Sequence, residues 1–244
     1  MNITHTIPSS TPPWDTLVAA LEAWRKGLEE PESPADSGSG TATNGAEPAV
    51  STVAEHYKRD PWAILVSTII SLRTKDAVTL TVSQALLQKA PDPASLAALP
   101  DEVLTRLVYP AGFYRTKAAN LKKIAVILME QYQYQVPATM EELLALPGVG
   151  RKTANLVLTE AFDQDGICVD IHVHRISNRL GWVSSTNPEQ TETALRAVLP
   201  RQYWKGINAL LVLYGQRICR PVSPFCSRCV IHPYCERRGV IRSR

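Results

Sequence analysis

The sequence predicts an all-α protein, and three observations lead there. Apolar residues return with the three-to-four spacing of a helix in one segment after another. Pro, Gly and Asp punctuate the chain between those segments. Only "GICVD" (Gly166 to Asp170) reads as extended, and it is too short to build a sheet. No internal repeat of fixed period is evident.

In chain order, the first segment is "PPWDTLVAALEAWRKGLEE". Its Trp14, Leu17, Val18, Leu21, Trp24 and Leu28 share a helical face, so this helix is expected to pack on the body. Pro31 to Ala49 follows, mostly Pro, Ser, Gly, Ala and Thr with no large apolar residue. Such a stretch buries too little surface to offset its ordering entropy and reads as a flexible linker. Asp60 then supplies an N-cap with Pro61 at the first helical position, and Trp62, Leu65, Val66, Ile69 and Ile70 form the buried face. Further helices are expected over 76–88, 101–108, 115–131, 139–146, 151–162, 170–180, 188–198 and 201–219.

With 244 residues, 45% of them hydrophobic, the chain can bury a real core in one large domain or two small ones. Met1 to Ile7 has no basic residue ahead of an apolar run, so no secretory signal is read. The longest apolar run, "WAILVSTIISL" (Trp62 to Leu72), falls well short of the roughly 20 residues of a membrane span. The expectation is a soluble cytoplasmic protein, nucleoid-associated if bacterial. Charge is unevenly spread: residues 1–50 hold seven acids and two bases, a net −5 against +3 for the whole chain, which leaves +8 on the remainder. A basic body suits a polyanionic partner.

The five cysteines are also uneven, with Cys219, Cys226, Cys229 and Cys235 within 17 residues and Cys168 apart. Without an export signal, metal binding moves ahead of a disulfide framework. The spacing C-x6-C-x2-C-x5-C lets four thiolates close around one compact centre, either zinc or an iron–sulfur cluster. Zinc ribbons usually pair two C-x2-C knuckles, and only Cys226–Cys229 makes one here.

In "LPGVGRKTANLVL" (Leu146 to Leu158), Pro147 breaks one helix, Gly148 and Gly150 flank Val149 with conformational freedom, and Ala154, Val157 and Leu158 give a second helix its apolar face. Arg151 and Lys152 open that helix, where the macrodipole disfavours positive charge. Bare N–H groups at a helix start form an anion site, and a phosphate docked there would make both bases well placed. Without an anion, the segment is only a helical corner with two surface bases.

"LPGVGRKTA" followed eighteen residues after Lys152 by Asp170 in "VDIHVHR" resembles the endonuclease III family, within the helix-hairpin-helix DNA glycosylases that carry a Gly-Pro-rich hairpin and a later aspartate. The likeness runs from about Pro61 to Arg237. It implies that Lys152 is the nucleophile, that Asp170 is its essential partner, and that Gly148, Val149, Gly150 and Arg151 meet DNA. It also implies a [4Fe–4S] cluster on Cys219, Cys226, Cys229 and Cys235, in a loop offering Arg220 and Arg228 to the DNA backbone. Cys168 then reads as a small buried residue.

The residue types suit that chemistry. Lysine near its reference pKa of ~10.4 is neutral in roughly one molecule in 2,500 at pH 7, so the amine needs help from Arg151, the helix start and partial desolvation. A carboxylate can offset oxocarbenium charge and move protons, the lesser alternative being that Asp170 serves only as an N-cap. His172 and His174, two apart on a helix, diverge and cannot share one ion. The resemblance gives His172 a supporting role at the pocket or DNA, and His174 reads as packing.

A glycosylase must extrude its target base and fill the gap. Two stretches match the family's extruding loops: "SLRTKD" (Ser71 to Asp76), with Arg73, and "GFYRTKA" (Gly112 to Ala118), with Phe113 as wedge or as core packing. Arg73 stands where many relatives carry glutamine, Leu144 replaces an acid several keep, and the acidic N-terminal extension is unfamiliar.

The architecture expected from the resemblance has two helical lobes with a DNA-binding cleft between them, a helix-hairpin-helix motif and a C-terminal iron–sulfur cluster loop. In boundaries, residues 1–30 are an N-terminal helix on the cluster lobe and 31–50 the linker. Residues 51–164 form a barrel-like domain of six helices with the hairpin at 139–162, and 165–244 the C-terminal helices and cluster loop. The function implied is a monomeric bifunctional DNA glycosylase and abasic-site lyase acting on oxidised pyrimidines in duplex DNA. The alternatives are a monofunctional mismatch glycosylase, which normally lacks the hairpin lysine, and a non-catalytic DNA-binding module, which would not require both Lys152 and Asp170.

Overall fold

The computed structural model describes residues 12–28 and 48–244, and among these there is no strand. Residues 31–47 of the expected linker lie outside the described residues. Helices are α1 Trp14–Lys26, α2 Ala49–His56, α3 Pro61–Ser71, α4 Asp76–Lys89, α5 Pro93–Ala98 and α6 Asp101–Val108. The series continues with α7 Tyr114–Gln131, α8 Met140–Ala145, α9 Arg151–Phe162, α10 Ile171–Leu180, α11 Pro188–Val198 and α12 Ile207–Arg217. No described helix is long and apolar enough to cross a membrane.

The chain divides into two compact units, one of residues 47–166 and one of residues 1–46 with 167–244. In the first, α3 is the central helix, in contact with α2, α4, α7 and α9. That is why Trp62 to Ile70 is buried without a break, where the sequence pattern marked only one face. Asp60 caps α3 by accepting the Ala63 N–H at 2.8 Å, with Pro61 at N1.

Eight helices build this unit among the described residues, against the six expected. The two additions are α2, which begins at Ala49 inside the stretch read as linker, and α5. Ala49, Val50, Val53 and Ala54 are buried, so α2 earns its order through small side chains. The six residues of α5 are held by a reciprocal cap: Asp92 Oδ1 accepts the Ser95 N–H at 2.7 Å and Ser95 Oγ accepts the Asp92 N–H at 3.2 Å.

The second unit is built from α1, α10, α11, α12 and the C-terminal loop. α1 buries Trp14, Leu17, Val18 and Leu21 in a core shared with Ile176, Trp182 and Leu211. Trp14 meets Trp182 edge-on at 4.7 Å, and Trp24 meets Tyr214 likewise at 4.7 Å. The helix expected over 201–219 is broken: a 3-10 turn at Arg201–Tyr203 precedes α12, which starts only after Gly206. His174 is tied through Nδ1 to Thr191 Oγ1 at 2.6 Å, within a side-chain network that includes Asn178 and Ser185.

Candidate active site and cysteine pocket

The hairpin joins α8 to α9. Thr139 caps α8, and after Leu146 the chain turns at Pro147 and Gly148, closed by the Val149 N–H donating to Leu146 O at 3.1 Å. Gly148 has φ +76°, the left-handed region that favours glycine, and a Cβ there would stand 2.4 Å from Asn120 Nδ2 and push that side chain aside. Val149 is buried. Gly150 has φ −102° and open space around it, so its contribution is exposure of the α9 start and not backbone freedom. No acid occupies the first turn of α9 and no side chain caps it. The N–H groups of that turn lack intrahelical partners, as at any helix start. Arg151 is exposed there and Lys152 half-buried.

Asp170 is the N-cap of α10 in the second unit. Its Oδ1 accepts from both the His172 N–H at 2.8 Å and the Val173 N–H at 2.9 Å. Capping therefore uses one oxygen, and Oδ2 makes no hydrogen bond among the described residues. His172 Nδ1 lies 3.1 Å from Arg175 Nη2.

The two extrusion-loop candidates come together in the first unit. Arg73 is exposed and Phe113 is 62% exposed, which excludes core packing for the phenylalanine. Both sit at left-handed backbone, φ 53° and 57°, and the Arg73 guanidinium lies 5.3 Å from the Phe113 ring centre. Leu144 is partly exposed on α8.

All four clustered cysteines line one pocket, walled by Ile176, Leu180, Ile218, Phe225 and Ile231. Donors point at the sulfurs: Tyr214 Oη–H to Cys229 Sγ at 3.2 Å, Arg179 Nη1 to Cys219 Sγ at 3.5 Å, and the Arg237 N–H to Cys235 Sγ at 3.4 Å. Burial pushes the Cys229 thiol up, and Cys235 up to about 11. A lone thiolate is thus disfavoured there, and a polycationic centre bound by all four sulfurs would remove that cost. The donor set and its apolar walls fit an iron–sulfur centre. Burial also raises the Tyr214 pKa far above its ordinary value, keeping its proton available to Cys229. Cys168 is buried, with its carbonyl accepting from Asn208 Nδ2 at 2.9 Å. Arg220 and Arg228 are exposed beside the Phe225 ring, at 5.3 and 6.0 Å, with Arg244 at 5.1 Å.

Sequence reasoning missed Arg175, Arg179 and Lys117. Arg175 Nη2 donates to Gly215 O at 3.1 Å and Cys219 O at 3.0 Å, and Arg179 donates to Arg220 O and Pro221 O at 2.6 Å each. Their four-residue spacing on one face of α10 was the only available signal.

An all-α chain with this hairpin, a following helix-capping aspartate and a four-cysteine pocket has the make-up of a helix-hairpin-helix DNA repair glycosylase. Residues 66–201 match the HhH-GPD superfamily of base excision DNA repair proteins. Endonuclease III of Thermotoga maritima is 46% identical over 187 residues, covering 75% of this chain and 88% of that protein. Endonuclease III-like protein 1 of Gallus gallus is 42% identical over 177 residues, covering 71% of this chain and 63% of its own length. A trapped endonuclease III–DNA covalent intermediate superposes with a TM-score of 0.69 at 31% identity, over 78% of this chain and 93% of that one. The chain belongs to the endonuclease III family of the HhH-GPD superfamily. It is a base excision repair enzyme of the DNA glycosylase and abasic-site lyase class.

Proposed function

We propose that this enzyme is bifunctional, releasing oxidised pyrimidines from duplex DNA through a Lys152 imine and then cleaving the strand by β-elimination, as a monomer. The observation that carries the reading is Lys152 itself, half-buried in an acid-free, uncapped first turn of α9 directly behind the glycine-bounded hairpin. The superposable endonuclease III trapped as a covalent intermediate with DNA supports an enzyme-borne nucleophile.

In the proposed sequence, the neutral Lys152 amine attacks C1′ and the C1′–N glycosidic bond breaks, the base leaving with the electron pair and taking up a proton. Asp170 offsets the oxocarbenium charge and moves protons with the oxygen that capping leaves free. Ring opening gives the imine, loss of a C2′ proton expels the 3′ phosphate, and water releases the lysine. The hairpin amides, with Gly148, Val149, Gly150 and Arg151, hold a backbone phosphate. Arg73 and Phe113 enter the base stack, His172 steadies the start of α10, and Arg220 and Arg228 bind phosphates. Cys219, Cys226, Cys229 and Cys235 hold a [4Fe–4S] cluster, which supplies a rigid cross-link to that loop and no reacting atom.

Borohydride trapping tests the reading. The parent should give a stable protein–DNA adduct on damaged duplex. Lys152→Ala should abolish adduct and base release while binding DNA nearly as well, because the hairpin amides and Arg151 remain. Asp170→Asn should still cap α10, since asparagine caps as well as aspartate, yet slow base release by about 10²–10⁴-fold. A Lys152→Ala protein that still traps would move the nucleophile elsewhere.

A further inference from the structure

Lys117 lies on α7, one turn beyond Phe113, and a lysine at that place would ordinarily reach solvent. Here it is 5% exposed. Its Nζ donates to Ile70 O at 2.7 Å, Leu72 O at 2.6 Å and Thr74 Oγ1 at 2.8 Å. The first two acceptors are carbonyls at the C-terminal end of α3, where a helix leaves carbonyls unpaired and its dipole favours a cation. Thr74 Oγ1 in turn accepts the Gly112 N–H at 3.0 Å. Gly112 is pressed so closely on the other loop that a Cβ would stand 2.3 Å from Arg73 O.

We propose that Lys117 is a positioning residue for base extrusion, tying the Arg73 loop and the Phe113 loop into one rigid probing unit. The proposal rests on the extrusion roles given above to Arg73 and Phe113. Three ammonium hydrogens meet three acceptors, so the buried charge is fully hydrogen-bonded. Burial lowers the Lys117 pKa to about 8, which leaves the amine mostly charged at neutral pH. A buried cation is a costly way to fill space, and here it spans two loops that no backbone ladder joins.

Both probing residues need such support. Arg73 and Phe113 hold left-handed backbone, which costs a side-chain-bearing residue on the order of 1 kcal/mol or more unless its surroundings fix it. The Arg73 side chain makes no hydrogen bond or ion pair among the described residues and is steadied only by the Phe113 ring. What orients both is the common base formed by Leu72, Thr74, Gly112 and Lys117. Lys117 touches neither substrate nor reacting atoms in this scheme.

The test uses the full chain with Lys117→Met, Thr74→Val, Arg73→Ala and Phe113→Ala variants. Three rates are measured: base release from a duplex with one oxidised pyrimidine, cleavage of a pre-formed abasic site, and the fluorescence rise of 2-aminopurine placed beside the lesion, which reports unstacking. Lys117→Met should slow base release and the fluorescence step by up to about 10²-fold, the size of effect a displacement near 1 Å can have. Its abasic-site cleavage should stay within about twofold, and Lys117→Arg should recover part of the loss. Thr74→Val removes the hydroxyl that accepts from both Lys117 and Gly112 but leaves the Lys117 bonds to the Ile70 and Leu72 carbonyls, so it gives the same selective loss, smaller, even if Lys117→Met fails to fold. Equal losses on both substrates, or none, in Lys117→Met and Thr74→Val would overturn the proposal. If Arg73→Ala and Phe113→Ala also fail to separate the substrates, the extrusion reading itself falls. If they separate them and the other two do not, only the role of Lys117 falls.

Discussion

Leu17→Ala tests whether the N-terminal helix is part of the folded enzyme. Leu17 is fully buried in the first turn of α1, in the core with Trp14, Leu21, Trp182 and Leu211. Removing a buried leucine loses its transfer energy and leaves a cavity, together about 2–5 kcal/mol. Taking about 3 kcal/mol and the 2–4 °C per kcal/mol usual for chains of 150–250 residues, the melting temperature should fall by roughly 6–12 °C. Thermal unfolding followed by circular dichroism at fixed protein concentration measures it, with Glu22→Ala, on the exposed face of α1, as the control that should move little. Trp24→Ala extends the test, because its ring meets Tyr214, whose hydroxyl donates to Cys229. It should cost an additional edge-to-face contact, about 0.5–1.5 kcal/mol, and speed loss of iron from the pocket. A Leu17→Ala protein melting with the Glu22→Ala control would refute docking of α1.

Iron analysis of purified protein should give about four irons per chain, with broad absorption near ~400 nm, and one zinc without iron would overturn the cluster assignment. Burial holds the His174 pKa below its ordinary 6.5, so as pH falls the unfolded chain takes that proton before the folded one does. Stability should therefore be intact above 6.5 and decline as pH drops through it. His174→Gln should flatten that decline, and an equally steep one in the variant would show that another group carries it.

What the sequence made legible was local. The faces of α1, α3 and α9 show in the period of their own apolar residues, and the Asp60-Pro61 and Gly148-Val149-Gly150 signals depend on neighbours in the chain. α2 went unseen because its buried face is made of Ala49, Val50, Val53 and Ala54, and the small-residue stretch before it masks that start. α5 is too short for periodicity, although Asp92-Pro93 and Ser95 already spelled its cap. Lys117 could not be read at all. A lone lysine within a helical pattern counts as solvent-facing, and its acceptors come from residues 43 to 47 positions earlier. Arg175 is the same case in reverse, with acceptors 40 and 44 positions later.

Those long-range arginine contacts give α10 two duties. At its start stands Asp170, one oxygen spent on capping and the other free. Further along, Arg175 and Arg179 grip the last turn of α12 at Gly215 and the chain that leaves it, from Cys219 to Pro221, and Arg179 also reaches the Cys219 sulfur. Burial lowers the Arg175 pKa and the nearby Cys219 opposes that, as expected for a cation drawn under the cysteine loop. Because a helix moves as a unit, whatever fixes the loop also fixes the direction from which the Asp170 carboxylate is presented. On the proposed reading, a cluster in the pocket would anchor the far end of the helix that carries Asp170, a structural duty that needs no electron transfer.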